Sequence, residues 1–199
     1  MRSHYALLAP TVTGYPLNIQ RSGWAVIVPE ATENLIINPS FEGGAIAFAA
    51  VNAEPITQSD DYQYSGVYSA KVTPTADLQL DFTGVVLLAA GTTHTFSVWF
   101  RGIAGRIYIA QLSNGTPAST ARATGTGRWQ RLAVTFAASI SGNAEITITS
   151  PTGVSDVPFY FDAAQLEAKP YATTYADGDM RGFLPRSRDY YWTGVPHES

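Results

Sequence analysis

From residue 34 onward, apolar and polar positions alternate with the period of two that an extended strand imposes. In HTFSVWF, Phe96, Val98 and Phe100 fall on one face; in AEITIT, Ile146 and Ile148 share a face and threonines take the other. Runs rich in Val, Ile, Thr, Phe and Tyr, bounded by Gly, Pro, Asn or Ser, predict strands near 34–37, 45–51, 67–73, 77–82, 94–101, 106–112, 129–136, 144–149 and 158–166. Turns are written out as Ser113-Asn114-Gly115, Gly125-Thr126-Gly127 and Ser141-Gly142-Asn143. No stretch keeps a helical period for more than about two turns. Short strands at this spacing predict an all-β fold, an antiparallel β-sandwich of the jelly-roll kind.

Both ends break the pattern. Residues 1–33 are punctuated by Pro10, Gly14, Pro16, Gly23 and Pro29, yet YALLAPTV, YPLNI and WAVIV are apolar. Disordered tails are poor in such residues, so the segment reads as an extended assembly arm that gains order by lying on a surface. Residues 34–168 form the predicted sandwich. Residues 169–199 are irregular and carry Tyr171, Tyr175, Tyr190, Tyr191 and Trp192. Large aromatic side chains anchor interfaces at modest entropic cost. Tyr5, Leu7, Leu8, Trp24, Val26, Tyr190, Tyr191 and Trp192 are therefore the expected assembly contacts, either with a neighbouring subunit or with the chain's own sandwich.

Composition narrows the function. Of the 199 residues, 45% are hydrophobic, enough for a core, and only 14% are charged, against roughly 25% in an average soluble protein. Such a surface suits packing against copies of itself or other proteins, and it is also found in secreted β-domains. The net charge is −4 and the only lysines are Lys71 and Lys169, so no basic stripe for nucleic acid is present. Cysteine is absent, which excludes disulfides and Cys-based zinc sites. The N-terminus lacks the apolar core of a signal peptide, and no run is long enough to span a membrane as a helix. Synthesis in the cytoplasm without membrane insertion is expected.

Several phrases resemble a known family. NLIINPSFE at 34–42 looks like the first strand of carbohydrate-binding modules built on the galactose-binding-like jelly roll. YSGVYSAKVT at 64–73, HTFSVWFRG at 94–102, GRWQRLAVTF at 127–136 and FYFDAAQLE at 159–167 are similar to later strands of that family, in the same order. The ending, with Gln165 to Glu167, Thr173 to Tyr175, Asp177 to Asp179 and Trp192 to Ser199, resembles a segment that follows such modules in virion proteins of tailed bacteriophages. In those relatives the chain often continues, whereas here it stops at Ser199, which suggests a compact virion subunit. The resemblance implies a structural virion protein on the capsid surface, neck or tail. It would be homo-oligomeric, contact other virion proteins through its arms, and be located in the virion after synthesis in the host cytoplasm.

The same family implies a site. A Glu after the first strand and an Asp in the last strand help hold a structural Ca²⁺ in the modules it resembles, which points to Glu42 and Asp162. The plainer reading is that each carboxylate caps a turn or accepts backbone N–H bonds. No other cofactor is implied. Sugar recognition needs exposed aromatic faces beside polar groups; Tyr62 and Tyr64, with Asp61 nearby, are the candidates. Tyr68, Trp99 and Trp129 lie in strand patterns and read as packing. Many members of the family carry a Trp soon after the Phe-Glu pair, where GGAIAFAAVNAEP offers only Phe48. Catalysis has little support. His4, His94 and His197 form no catalytic motif, and the acidic pairs Asp60-Asp61 and Asp177-Asp179 read as solvated turns. The expected function is thus non-enzymatic structural assembly, with glycan binding at a host surface as the alternative.

Overall fold

β8, Thr93–Arg101, shows how the alternation becomes architecture. His94, Phe96, Val98 and Phe100 are buried on its inner side, while Trp99 and Arg101 face outward and are only partly covered. The computed structural model describes residues 18–21, 24–27, 33–37, 39–43, 47–115, 117–151 and 157–175. The chain separates into two units, Met1–Thr32 and Glu33–Ser199. In the first, β1 (Asn18–Arg21) and β2 (Trp24–Ile27) pair antiparallel as a two-stranded ladder. The sequence reading expected only an extended arm there. The two residues between the strands, Ser22-Gly23, are a hairpin cue that it passed over. Trp24 and Val26 lie on β2; Tyr5, Leu7, Leu8, Tyr190, Tyr191 and Trp192 lie outside the described residues.

The second unit is the expected antiparallel β-sandwich. Its strands are β3 (Phe48–Ala53), β4 (Thr57–Ser59), β5 (Ser69–Val72), β6 (Pro74–Phe82), β7 (Leu87–Leu88), β8, β9 (Ile107–Ser113), β10 (Ser119–Thr124), β11 (Trp129–Ala137), β12 (Gly142–Asn143), β13 (Glu145–Ser150) and β14 (Phe159–Glu167). One five-stranded sheet runs β10-β9-β13-β6-β3 and the other β11-β8-β14-β5-β4; β7 and β12 make a small extra ladder. The inner faces supply one core. Tyr108, Leu112, Ile146, Ile148, Leu78 and Leu80 come from the first sheet, and Phe96, Val98, Phe100, Val134, Phe136, Phe159 and Phe161 from the second. Each large apolar side chain fully buried there contributes about 1.5–3 kcal/mol. His94 joins this interior at 4% exposure, and burial pushes its pKa down.

Two expectations need correction. Residues 34–37 do not form a strand. Leu35 donates to the Leu166 carbonyl (2.8 Å) and Ile37 makes a single bridge, while the fully buried Asn34 adds side-chain bonds. Its Oδ1 accepts from Ile36 N and Leu166 N, both at 3.1 Å, and its Nδ2 donates to the Ala164 carbonyl (2.9 Å). A side chain thus stands in for part of a ladder because β14 is bulged between Asp162 and Gln165, with Ala163 at φ 50°. Pro39 completes the repair: its carbonyl accepts from Ala164 N at 2.9 Å. The second correction concerns β4 and β10, which the sequence reading missed. β10 holds only small and polar residues apart from Arg122, and β4 is three residues long.

Phe41 enters the core. It is fully buried, adopts φ 60° and packs edge-on against Phe161 at 4.9 Å. This conformation throws Glu42 outward toward residues 66–68.

Asn34 therefore acts as a buried clamp. Replacing it with Ala strands two N–H groups and a carbonyl, each costing about 1–3 kcal/mol, so Asn34→Ala should lower unfolding stability by roughly 3 kcal/mol or more in urea titration. Asn34→Asp keeps the acceptor and loses the donor, and should rank between wild type and Ala if charge were ignored; its carboxylate in a fully buried position makes it at least as damaging as Ala above pH 6. Equal stability of all three proteins would contradict the clamp.

Candidate functional site

The outward faces of the two sheets differ in chemistry, and strand register decides what each presents. Residues opposite one another in an antiparallel pair lie on the same face. On the second sheet one row reads Trp129, Arg101, Tyr160, Lys71, Thr57 across β11, β8, β14, β5 and β4. The adjacent row reads Arg131, Trp99, Asp162. On the first sheet, Arg122, Ile109, Thr149, Gln79 and Val51 form one row and Thr120, Gln111, Thr147, Asp81 and Ala49 the next. That second surface has hydroxyls, amides, the Asp81 carboxylate and the Arg122 guanidinium beside Ile109 and Val51, and no aromatic ring in either row.

β8 and β11 thus build a tile with two tryptophans and two arginines on alternate corners. The segment between β4 and β5 folds over it. Tyr64 stacks on Trp99 with centroids 3.9 Å apart and planes at 13°, and meets Trp129 edge-on at 6.1 Å. The Arg101 guanidinium sits 3.9 Å from the centroid of Tyr62, within cation–π range. Tyr62 also packs edge-on against Tyr160 at 5.0 Å. Asp61 pairs with Lys71 at 2.8 Å and accepts from the Tyr160 hydroxyl at 3.0 Å. These partners, Lys71 first, hold the Asp61 carboxyl below the usual range. Tyr62 and Tyr64 are 42% and 41% exposed, so each keeps a free aromatic surface although one side is packed.

The three predicted glycan residues, Tyr62, Tyr64 and Asp61, are therefore brought together on one face. Sequence reasoning missed Trp99, Trp129, Arg101 and Arg131, having assigned the tryptophans to packing. The signal was available: with Phe96, Val98 and Phe100 inside, Trp99 and Arg101 must point out, and with Leu132, Val134 and Phe136 inside, so must Trp129 and Arg131.

Glu42 and Asp162 hold the covering segment down. Asp162 Oδ2 accepts from Tyr64 N (2.8 Å) and Ser65 N (3.0 Å), and Oδ1 from Ala163 N (2.6 Å). Glu42 Oε1 accepts from Val67 N (2.6 Å) and Tyr68 N (2.7 Å). Charge-assisted bonds of this kind are each worth about 1.5–3 kcal/mol. The plainer sequence reading of both residues, carboxylates accepting backbone N–H bonds, describes these contacts. Burial pushes Asp162 up to about 7 despite the three amides, and the charge of Glu42 adds to the rise. A folded-state value above the ordinary carboxyl range means that ionising Asp162 withdraws stability as pH rises from about 4 through 7.

A shared cation would relieve that cost, and on charge the pair fits one. On ligand number it is short: Ca²⁺ takes six to eight oxygens, and no group of three or more His, Cys, Asp or Glu gathers among the described residues. Backbone carbonyls and water would have to complete the shell.

At the other end of β14, Glu167 is fully buried and accepts from Thr173 N (2.9 Å), Thr173 Oγ1 (2.7 Å) and Gln165 Nε2 (2.8 Å). Lys169 O accepts from Thr95 Oγ1 at 2.8 Å. Residues 169–173 are thereby tied to the outer side of the second sheet.

Residues 33–161 match the family described as a carbohydrate binding domain. No curated protein sequence matches the chain. Among solved structures, TmCBM61 in complex with β-1,4-galactotriose superposes with TM-score 0.54 at 14% identity, covering 69% of this chain and 99% of that one. The C-terminal family 22 carbohydrate binding module of Clostridium thermocellum Xyn10B gives 0.54 at 17% identity, over 73% and 99%. The CBM22-1 xylan-binding domain of Paenibacillus barcinonensis Xyn10C gives 0.54 at 14%, over 73% and 100%. At these identities the likeness is one of fold.

Gly66 tests the loop geometry. It has φ +71°, and a Cβ there would collide with Glu42 Oε1. Gly66→Ala should cost roughly 1–3 kcal/mol from the left-handed backbone alone, read as a drop in melting temperature, and should red-shift tryptophan emission as Tyr64 leaves Trp99. An unchanged emission maximum and melting temperature would contradict the described loop.

Proposed function

The chain belongs to the carbohydrate binding domain family, and from that premise we propose that it is a glycan-binding module whose ligand lies on the outer face of the β11-β8-β14-β5-β4 sheet. The observation that carries the reading is the aromatic surface itself. Tyr62 and Tyr64 are half-exposed rings stacked on Arg101 and Trp99, with Trp129 beside them. Pyranose rings present C–H faces that pack on aromatic planes, and their hydroxyls need fixed donors and acceptors nearby. Asp61 and Lys71 supply these at one end of the tile. The modules of similar fold include one described in complex with a galactotriose and one described as xylan-binding, which supports a polysaccharide as the ligand class. Binding rather than catalysis is what family membership supports.

This reading takes the place of virion assembly as the main function. Of the phrases that carry the bacteriophage resemblance, Asp177 to Asp179 and Trp192 to Ser199 lie outside the described residues, and the comparisons add nothing to it. Virion partners and a homo-oligomeric state stay proposals from sequence alone.

The test is a glycan array followed by titration calorimetry on each hit. Tyr64→Ala should weaken binding about tenfold or more, in line with the loss of an aromatic contact at a hot spot, and Gln111→Ala on the opposite sheet should leave affinity within about twofold. Weakening by Gln111→Ala with Tyr64→Ala neutral would move the site to the first sheet; no binding by the wild-type chain to any glycan would refute the reading.

We also propose that Glu42 and Asp162 share a structural Ca²⁺, as the family resemblance implies. Millimolar Ca²⁺ should then raise the melting temperature, a chelator should reverse it, and Glu42→Gln should abolish the shift. A melting temperature indifferent to both reagents would leave the two carboxylates as loop clamps only.

A further inference from the structure

One buried side chain organises the polar edge of the tile. Tyr160 is 6% exposed and lies beside Lys71 in the same outward row. The Tyr62 ring packs edge-on against it at 5.0 Å. Its hydroxyl donates to Asp61 Oδ2 at 3.0 Å, and Lys71 Nζ lies 5.8 Å from its centroid. Lys71 Nζ donates to the same Asp61 oxygen at 2.8 Å. An aromatic platform, an acceptor and a donor therefore share one support.

The ion pair is fixed from below and has capacity left above. Asp61 receives Lys71 and Tyr160, with Ser59 a lesser third donor. A carboxylate has about four acceptor positions, so at least one stays open. Lys71 has three N–H donors and gives one to Asp61. The two side chains are 34% and 47% exposed. A surface ion pair of that exposure adds little to stability, so stability does not account for a buried tyrosine hydroxyl set beneath it. On the first sheet, Gln79 Nε2 also meets a carboxylate, that of Asp81 at 2.9 and 3.0 Å, but no ring stands in those rows. Only on the second sheet, among the described residues, does such a pair adjoin a half-exposed aromatic face.

A donor and an acceptor 2.8 Å apart match one feature of sugars. Two hydroxyls on neighbouring ring carbons, staggered by about 60°, stand roughly 2.8–3.0 Å apart, a hydrogen-bond length. One of them accepts from Lys71 while the other donates to Asp61, and both bonds are charge-assisted. Equatorial hydroxyls two carbons apart point away from each other and fall outside that span. We infer that Asp61 and Lys71 read a vicinal diol: the sugar ring rests on Tyr62, two adjacent free hydroxyls engage the ion pair, and this face takes glycans whose units leave neighbouring hydroxyls unsubstituted. The inference rests on the glycan-binding reading above and names its ligand class and specificity residues. A 1,4-linkage leaves O2 and O3 free together. A 1,3-linkage leaves O2 and O4, which are not neighbours, so the interior of such a chain lacks the feature. No loop has to move, because Tyr62, Asp61 and Lys71 reach solvent as they stand.

The experiment sorts glycan-array hits by whether their interior units carry a free vicinal diol. Calorimetry on the full chain then compares β-1,4-galactan, β-1,4-xylan and the tightest diol-bearing hit with a long, soluble β-1,3-glucan. At least one diol-bearing glycan should bind about tenfold tighter than the β-1,3-glucan. Lys71→Met keeps the aliphatic stem and removes the donors; Asp61→Ala removes the acceptor. Each should weaken the diol-bearing glycan about tenfold or more, Gln79→Ala should leave it within about twofold, and melting curves establish that the variants fold. Equal binding of the β-1,3-glucan overturns the inference, as do folded Lys71→Met and Asp61→Ala proteins that both keep wild-type affinity. Hits confined to glycans without a vicinal diol would sink the diol and leave the glycan-binding reading standing; binding of no glycan would sink both.

Discussion

The sandwich and its candidate site both depend on one irregularity, the bulge that interrupts β14 between Asp162 and Gln165. A bulge frees backbone groups that a regular ladder would pair, and in a strand buried along its whole length they must find partners. Asn34 and Pro39 take those groups from one side. The residue that opens the bulge, Asp162, turns its carboxylate to the outer face, where it fixes the backbone of Tyr64 and Ser65. Core closure and placement of the aromatic cover are therefore consequences of one local distortion.

That coupling explains why NLIINPSFE carries such different residue types within nine positions. Asn34 repairs the bulge, Pro39 offers it a carbonyl, Phe41 fills the space below Phe161, and Glu42 clamps the same segment that Asp162 grips. The energetic logic is a trade. Burial of the Asp162 carboxylate is unfavourable and pushes its pKa up, with the charge of Glu42 adding a smaller push, but each carboxylate is set against backbone N–H groups that the loop would otherwise present to solvent or leave unpaired.

Much of this was legible in the sequence because burial writes a period of two. The long strands β8, β11, β13 and β14 carry clean alternation or continuous apolar runs, and they appear where the pattern puts them. β4 and β10 escaped because short, polar edge strands have no apolar stripe to display. Residues 34–37 misled for the opposite reason: Leu35, Ile36 and Ile37 have strand composition, while beyond isolated backbone links the Asn34 side chain supplies bonds that no periodicity reveals. At the site, Tyr62, Tyr64 and Asp61 were singled out from local composition, and Glu42 and Asp162 from the family likeness. The tile of Trp99, Trp129, Arg101 and Arg131 needs the register between β8 and β11, which sequence alone does not fix.

The central claim is that the aromatic outer face of the second sheet, and not the polar face of the first, receives sugar. It is tested most directly by nitrogen–proton correlation spectra recorded during titration with a glycan that binds. The account predicts that the indole Nε1–H signals of Trp99 and Trp129 and the backbone amides of 61–65 shift in saturable fashion, with β9 and β13 unmoved. Shifts confined to Gln111, Thr147 and their neighbours on the first sheet, with the indole signals still, would contradict it.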